Sequence, residues 1–269
     1  AGALYFLPGL QGKVIDQGDI TQFRGRSQEI MKYREMGRSI YWTNTAFSGM
    51  PNYALSVVNP TNFTRYLPMA FRQTLGTGYG LFMIMALGFF VLMMALKVDL
   101  RIAIGAALVY ALGSYFIIVL EAGHNSKYHA MAYLPGILAG VLWAYRYRRP
   151  WLGAAVLGVF TALEINASHP QMFYYFMSVL LATVIYEAIK YLRRGAIQAF
   201  LIRSGLLLLA AVLAVGTQYP YLKRTLDYGE YSTRGESELS EDLTGRDGDG
   251  LERDYITKWS YGIGETFTW

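Results

Sequence analysis

Between residues 77 and 217 the chain passes through six apolar runs, at about 77–96, 102–120, 130–145, 151–167, 171–189 and 199–217. A helix needs about 20 residues, and at least about 17, to cross a hydrocarbon core about 30 Å thick. The first, second, fifth and sixth runs meet that length. The third and fourth are marginal, and the third contains Pro135. Short or broken spans are tolerated where they are buried in protein or line a cavity. The pattern predicts an all-α polytopic membrane protein with about six transmembrane helices. Composition agrees: 16% of residues are charged, where a soluble domain carries about a quarter. The 22 Tyr and 5 Trp suit rings at membrane–water interfaces. With no cysteine, disulfides and thiolate metal sites are excluded.

Charge sets the expected orientation. The first, third and fifth loops between runs hold Lys97 and Arg101; Arg146, Arg148 and Arg149; and Lys190, Arg193 and Arg194, with Arg203 just beyond. The second and fourth loops hold only Lys127. Basic loops stay in the cytoplasm, so residues 1–75, the second and fourth loops and the tail 219–269 are expected outside, flanking a membrane region over 76–218. The net charge of +5 does not point to nucleic acid, because the basic residues are divided among short loops.

Residues 1–75 are mixed in character. Asp19-Ile-Thr-Gln22 has the form of a capping box, which would start a helix at about Ile20. Ile20, Phe23, Ile30, Tyr33 and Met36 then fall roughly on one face, flanked by Arg24, Arg26, Lys32, Arg34 and Arg38, with Gly37 as the stop. A basic amphipathic helix of this kind fits the membrane surface. Tyr41 to Pro51 is rich in turn residues and aromatics and reads as an ordered loop. The tail is acidic and reads as a mobile extracytoplasmic loop. No signal-peptide pattern opens the chain at Ala1-Gly-Ala-Leu-Tyr-Phe6, and it stops at Phe-Thr-Trp269. A fragment of a longer membrane protein, with at least one helix ahead of residue 1, is expected.

Three polar constellations could carry chemistry. Asp16-Gln-Gly-Asp19 offers two carboxylates, for a divalent cation or for a general base; Asp19 as a plain helix cap is the competing and compatible role. Glu121 and His124-Asn125-Ser-Lys127-Tyr-His129 combine a point positive charge suited to phosphate with two imidazoles that can donate hydrogen bonds or protons. The alternative is a solvated loop between two helices. The two histidines are five residues apart, which does not suit one face of a helix, so a two-histidine zinc site is not expected. Glu164-Ile-Asn166-Ala-Ser-His169-Pro-Gln171 places a carboxylate inside an apolar run. Such a group costs about 2.5–3.5 kcal/mol at bilayer centre and normally faces a polar cavity or a partner; a structural ion pair is the plainer reading. Glu187 is expected to pair with neighbouring Lys or Arg. Asp247-Gly-Asp-Gly250 lacks the glutamate of a calcium loop, since position 258 is Lys. Methionines 83, 85, 93 and 94 read as packing residues.

Acidic residues on the first outer segment, a flat basic helix and polar clusters on later outer loops are similar to the layout of integral-membrane glycosyltransferases of the GT-C type. Gln17-Gly-Asp-Ile20, Trp42 through Tyr53, Gly123-His-Asn-Ser-Lys127 and Leu163 through Gln171 resemble the bacterial YfhO-like membrane proteins, as do Tyr231-Ser-Thr-Arg-Gly235 and Trp259 through Glu265. The resemblance runs over nearly the whole chain. It implies a GT-C-like fold in the bacterial inner membrane and transfer of a sugar from a polyprenyl-phosphate carrier to an extracytoplasmic glycan or polymer acceptor. By position it implies that Asp19, with Asp16 beside it, is the first-loop acidic residue. Lys127 and Arg24 would then face the leaving phosphate, and His169 and Asn166 would hold sugar hydroxyls or that phosphate, with His124, Asn125, His129, Glu164 and Gln171 also lining the substrate. The alternatives are a polytopic transporter, which shares the intramembrane Glu164, and a non-catalytic subunit of a larger membrane complex.

Overall fold

A computed structural model describes residues 2–55, 63–229, 231, 254, 257 and 258. Nearly all regular structure is helical. The N-terminal part holds two single-turn helices, α1 (Gly2–Tyr5) and α2 (Leu7–Leu10), then α3 (Gly18–Arg26), α4 (Gln28–Glu35), the short α5 (Asn52–Leu55) and α6 (Tyr66–Leu75). The bundle follows as α7 (Thr77–Ala95), α8 (Leu100–Ala111), α9 (Ser114–Ala122), α10 (Asn125–Arg146), α11 (Pro150–Asn166), α12 (Pro170–Arg193) and α13 (Ile197–Gly216). Residues 1–219 form one compact unit and 220–269 a second. In the second, α14 (Tyr219–Gly229) carries a Lys223–Asp227 ion pair of 2.9 Å one helical turn apart. The tail motifs at 231–235, 247–250 and 259–265 lie wholly or mostly outside the described residues.

Among the described residues three helices, α7, α12 and α13, are long and apolar enough to cross a membrane, and α8 with α9 makes a fourth if the bent pair is one span. The expected count of about six is therefore not reached: the second run is a bent pair, the third, α10, is not among the candidates, and the fourth, α11, is a shorter apolar helix of 17 residues. The second run is not one helix: it breaks at Leu112-Gly113 and bends by 45°. Gly113 permits the break, and the aromatic rings take advantage of it: Tyr110 stacks on Phe89 at 4.1 Å and meets Phe116 at 4.8 Å. The third run is longer than its apolar stretch. α10 has 22 residues, begins at Asn125 and continues unbroken through Pro135. The proline's missing N–H is one lost bond in a helix packed on both sides by its neighbours.

α10 is the centre of the bundle, packed against α7 on one side and α11 on the other, with α13 behind α11. Its buried side chains include Tyr128, Met131, Tyr133, Ile137 and Leu142. Glycines set the approach. A Cβ on Gly88 of α7 would strike the carbonyl of Ala132, one on Gly136 the Phe160 ring, one on Gly140 the backbone of Leu157, and one on Gly153 the backbone of Ala144. Small residues let membrane helices come close enough for backbone contact and dense packing. These contacts make α10 and α11 antiparallel in a fixed register. Carried one turn further, that register sets Tyr133 level with Glu164.

Because α10 to α13 alternate in direction, residues 123–129, 164–171 and 217–218 share one end of the bundle, and residues 145–151 and 190–197 share the other. They are called here the histidine end and the arginine end.

Upstream, the single amphipathic helix expected over 20–37 is two helices. The chain breaks at Ser27, which turns the apolar residues away from a common face. Ile30 is buried, whereas Met36 is 54% exposed. The break is held by outside partners: the Thr45 hydroxyl donates to the Arg26 carbonyl at 2.6 Å, taking up a helix-end acceptor. Gly37 does stop α4, in the left-handed region at φ 71°. The loop from 42 to 51 is ordered, as a two-stranded bridge of Trp42–Thr43 with Met50–Pro51. Glu29 pins it, accepting from the Thr43 hydroxyl at 2.7 Å and the Asn44 N–H at 2.9 Å.

Candidate functional site

The first acidic motif docks directly on the turn between α9 and α10. Gln17 is the anchor. It is buried, its Nε2 donates to the Leu120 carbonyl at 2.5 Å, and its amide exchanges bonds with that of Asn125, at 3.1 and 3.3 Å. Gly123 makes room. It lies at φ 89°, and a Cβ there would come within 3.1 Å of the Gln17 Cβ and 3.3 Å of the Asp19 Cβ. A glycine is required twice over, for the left-handed backbone and for the close approach.

Asp19 does not cap α3. The N-cap is Gln17, and it makes no side-chain cap bond; Asp19 sits in the first turn, where a negative charge still complements the helix N-terminus. Its carboxylate meets His124 Nε2 at 2.8 Å, and both side chains are about half exposed. The pair is therefore ordered yet open to a ligand.

The His124–His129 segment is not a solvated loop. Only His124 lies outside α10; Asn125, Lys127 and His129 occupy its first two turns. Lys127 Nζ lies 5.3 Å from the centroid of the Tyr115 ring, a cation–π contact that holds the ammonium near the surface. His129 points inward and its Nδ1 lies 3.0 Å from the Tyr133 hydroxyl, one turn along.

From the following turn, His169 joins the same end. Lys127 and His124 both lie within electrostatic reach of it. Burial pushes its imidazole below the usual range, and those two neighbours add to the shift. Its Nδ1 is buried without a partner among the described residues. So are both carboxylate oxygens of Glu164, which is 2% exposed, and both amide atoms of Gln218. The ion pair that would have explained Glu164 structurally is not formed. A small apolar void of about 30 Å³ lies beside Tyr133 and Leu163, about enough for one water.

Other expected residues stay at the margin. Asp16 and Arg24 are exposed, and neither makes a side-chain bond to this cluster. Gln171 is exposed and donates to the Tyr175 hydroxyl at 3.0 Å; Asn166 ends α11, half-buried, with its carbonyl near the Ser168 hydroxyl at 3.4 Å. Gln17, Gly123 and Tyr133 were not anticipated. Tyr133 had a readable signal, four residues after His129 on a helix. Gln17 had none beyond its place between the two aspartates.

A carboxylate near a histidine, an ammonium close by and buried polar groups still able to bond make an arrangement fit for proton transfer beside an anion. Among the described residues no cluster of three or more His, Asp or Glu has metal-binding geometry. In comparisons with known proteins the chain matches no family model, no curated protein and no solved structure.

Proposed function

We propose that the chain is the core of a bacterial inner-membrane glycosyltransferase of about six spans, which moves a sugar from a polyprenyl-phosphate carrier to an extracytoplasmic acceptor. The observation that carries the reading is the docking of the Asp19 motif on the His124 turn, with Lys127 and His169 at the same end of the bundle. The sharp charge difference between the two ends supports placing the arginine end in the cytoplasm.

In this reading Asp19 takes the proton of an acceptor hydroxyl, with His124 orienting its carboxylate. The acceptor oxygen attacks the anomeric carbon as the bond from that carbon to the phosphate oxygen breaks. The electron pair leaves with the lipid phosphate, whose growing charge Lys127 stabilises. His169 and Asn166 hold sugar hydroxyls or phosphate oxygens. A divalent cation at Asp16 and Asp19 would suit their oxygen chemistry, and Arg24, further along α3, is a further cation.

Purified protein given a panel of polyprenyl-phosphate sugars, with and without chelator, tests this. Asp19→Asn should lower turnover by about 10²–10⁴-fold while expression is unchanged. Full turnover in that variant removes Asp19 as the base. Transport is the second reading, favoured by the unpartnered Glu164 within the bundle; it predicts solute flux through vesicles that Glu164→Gln stops.

A further inference from the structure

Away from the histidine end, a groove of about 500 Å³ runs between α10 and α12, which are parallel and do not fully close on each other. Its α10 wall is Leu138, Leu142 and Arg146, one face at successive turns; its α12 wall includes Val179, Ala182 and Tyr186. The serine and threonine hydroxyls in it are already satisfied by their own helix. Ser178 donates to the Tyr175 carbonyl at 2.7 Å and Thr183 to the Val179 carbonyl at 2.8 Å. The interior therefore presents hydrocarbon.

The groove's polar end is basic. Arg146 Nε donates to Glu187 at 2.7 Å and Lys190 Nζ to the same carboxylate at 3.1 Å, while Lys190 also lies 5.2 Å from the Tyr186 ring. Two cations share one carboxylate, which leaves one positive charge in excess. Arg146 keeps its terminal guanidinium nitrogens without a partner among the described residues. Arg193 and Arg194 follow at the end of α12, and Arg148 and Arg149 just past α10.

We propose that this groove binds one anionic phospholipid from the leaflet at the arginine end, its acyl chain along Leu142 and Ala182 and its phosphate at Arg146. Basic pockets between membrane helices on the cytoplasmic side suit anionic headgroups. Charge selects the occupant: the positive charge in excess beside Arg146 suits a phosphate, whereas an apolar helix laid in the groove would leave it unmet. The proposal rests on the membrane reading and not on the transferase reading.

The test is native mass spectrometry of the detergent-purified full chain, titrated with phosphatidylglycerol or with phosphatidylcholine of the same acyl chains. One phosphatidylglycerol should bind at least about tenfold more tightly than phosphatidylcholine. Arg146→Gln should bring the two lipids to equal affinity, and Arg146→Lys should restore most of the preference. Ala182→Phe fills the groove without touching the ion pairs and should weaken both lipids about tenfold, which keeps the test intact if Arg146→Gln does not fold. Equal binding of the two lipids by the unaltered chain, or binding untouched by Ala182→Phe, overturns the proposal. So does a dimer that Ala182→Phe dissociates without loss of lipid.

Discussion

Glu187 and Glu164 are both carboxylates sunk in the bundle, 1% and 2% exposed, at opposite ends of it. Glu187 is fully met, by Arg146 and Lys190. Around it the helices are tied together: Arg203 donates to the carbonyls of Ala144, Tyr145 and Tyr147, Tyr145 pairs with Ser204 at 2.8 Å, and the Tyr147 hydroxyl donates to the Ala95 carbonyl at 3.2 Å. Glu164 is met by nothing among the described residues, and His169 and Gln218 at the same end of the bundle also keep polar atoms without a partner there. Buried polar groups are nearly always bonded, and those left over call for a cause. At the arginine end the buried carboxylate is spent on holding helices together; at the histidine end the buried polar atoms are left for something that is not part of the chain.

That contrast can be broken by mutation. Glu187→Ala strips a carboxylate from between two cations and should cost about 3–5 kcal/mol, read as a fall in Tm of the detergent-purified protein. A loss under 1 kcal/mol would mean the arginine end is not a structural lock. Gly123→Ala should cost about 1–3 kcal/mol, since it forces a side chain into the left-handed region and against Gln17. Faster proteolysis within residues 13–20 would be its signature, and unchanged proteolysis would show that the first loop is not clamped there. Glu164→Gln should leave stability unchanged or raise it by about 1 kcal/mol, because an unpartnered buried carboxyl is replaced by an amide of the same shape, yet turnover should fall. A large loss of stability would mean that Glu164 has a structural partner after all.

The smallest effect concerns pH. The Thr43 hydroxyl and the Asn44 N–H hold the Glu29 carboxyl below its ordinary value of 4.5. A depressed carboxylate stabilises above its unfolded pKa and loses that contribution as pH falls through the folded one. Exchange of the Asn44 amide should therefore quicken only below about pH 4.5. A change already complete at pH 6 would have another origin.

What the sequence discloses tracks which interactions are local. α7, α11, α12 and α13 follow the apolar runs closely, since hydropathy and helix length are properties of a continuous segment. The break at Gly113 and the early start of α10 were hidden, because the first depends on ring packing among Phe89, Tyr110 and Phe116 and the second puts polar residues in helix. The gathering of histidines at one end was legible from where the runs stop. The partner of each was not. Asp19 meets His124, and Gln17 meets Asn125, across more than 100 residues of chain, and no spacing rule reaches that far.

The glycine contacts between α10 and α11 have a mechanical consequence. With Gly136, Gly140 and Gly153 seated against the facing helix, neither can slide past the other without backbone collision. The two behave as a single stiff strut, and the heights of Tyr133 and Glu164 are locked together. Any working stroke must then fall to the parts around the strut, whether the elbow between α8 and α9 or α12 and α13, most of whose surface remains uncovered.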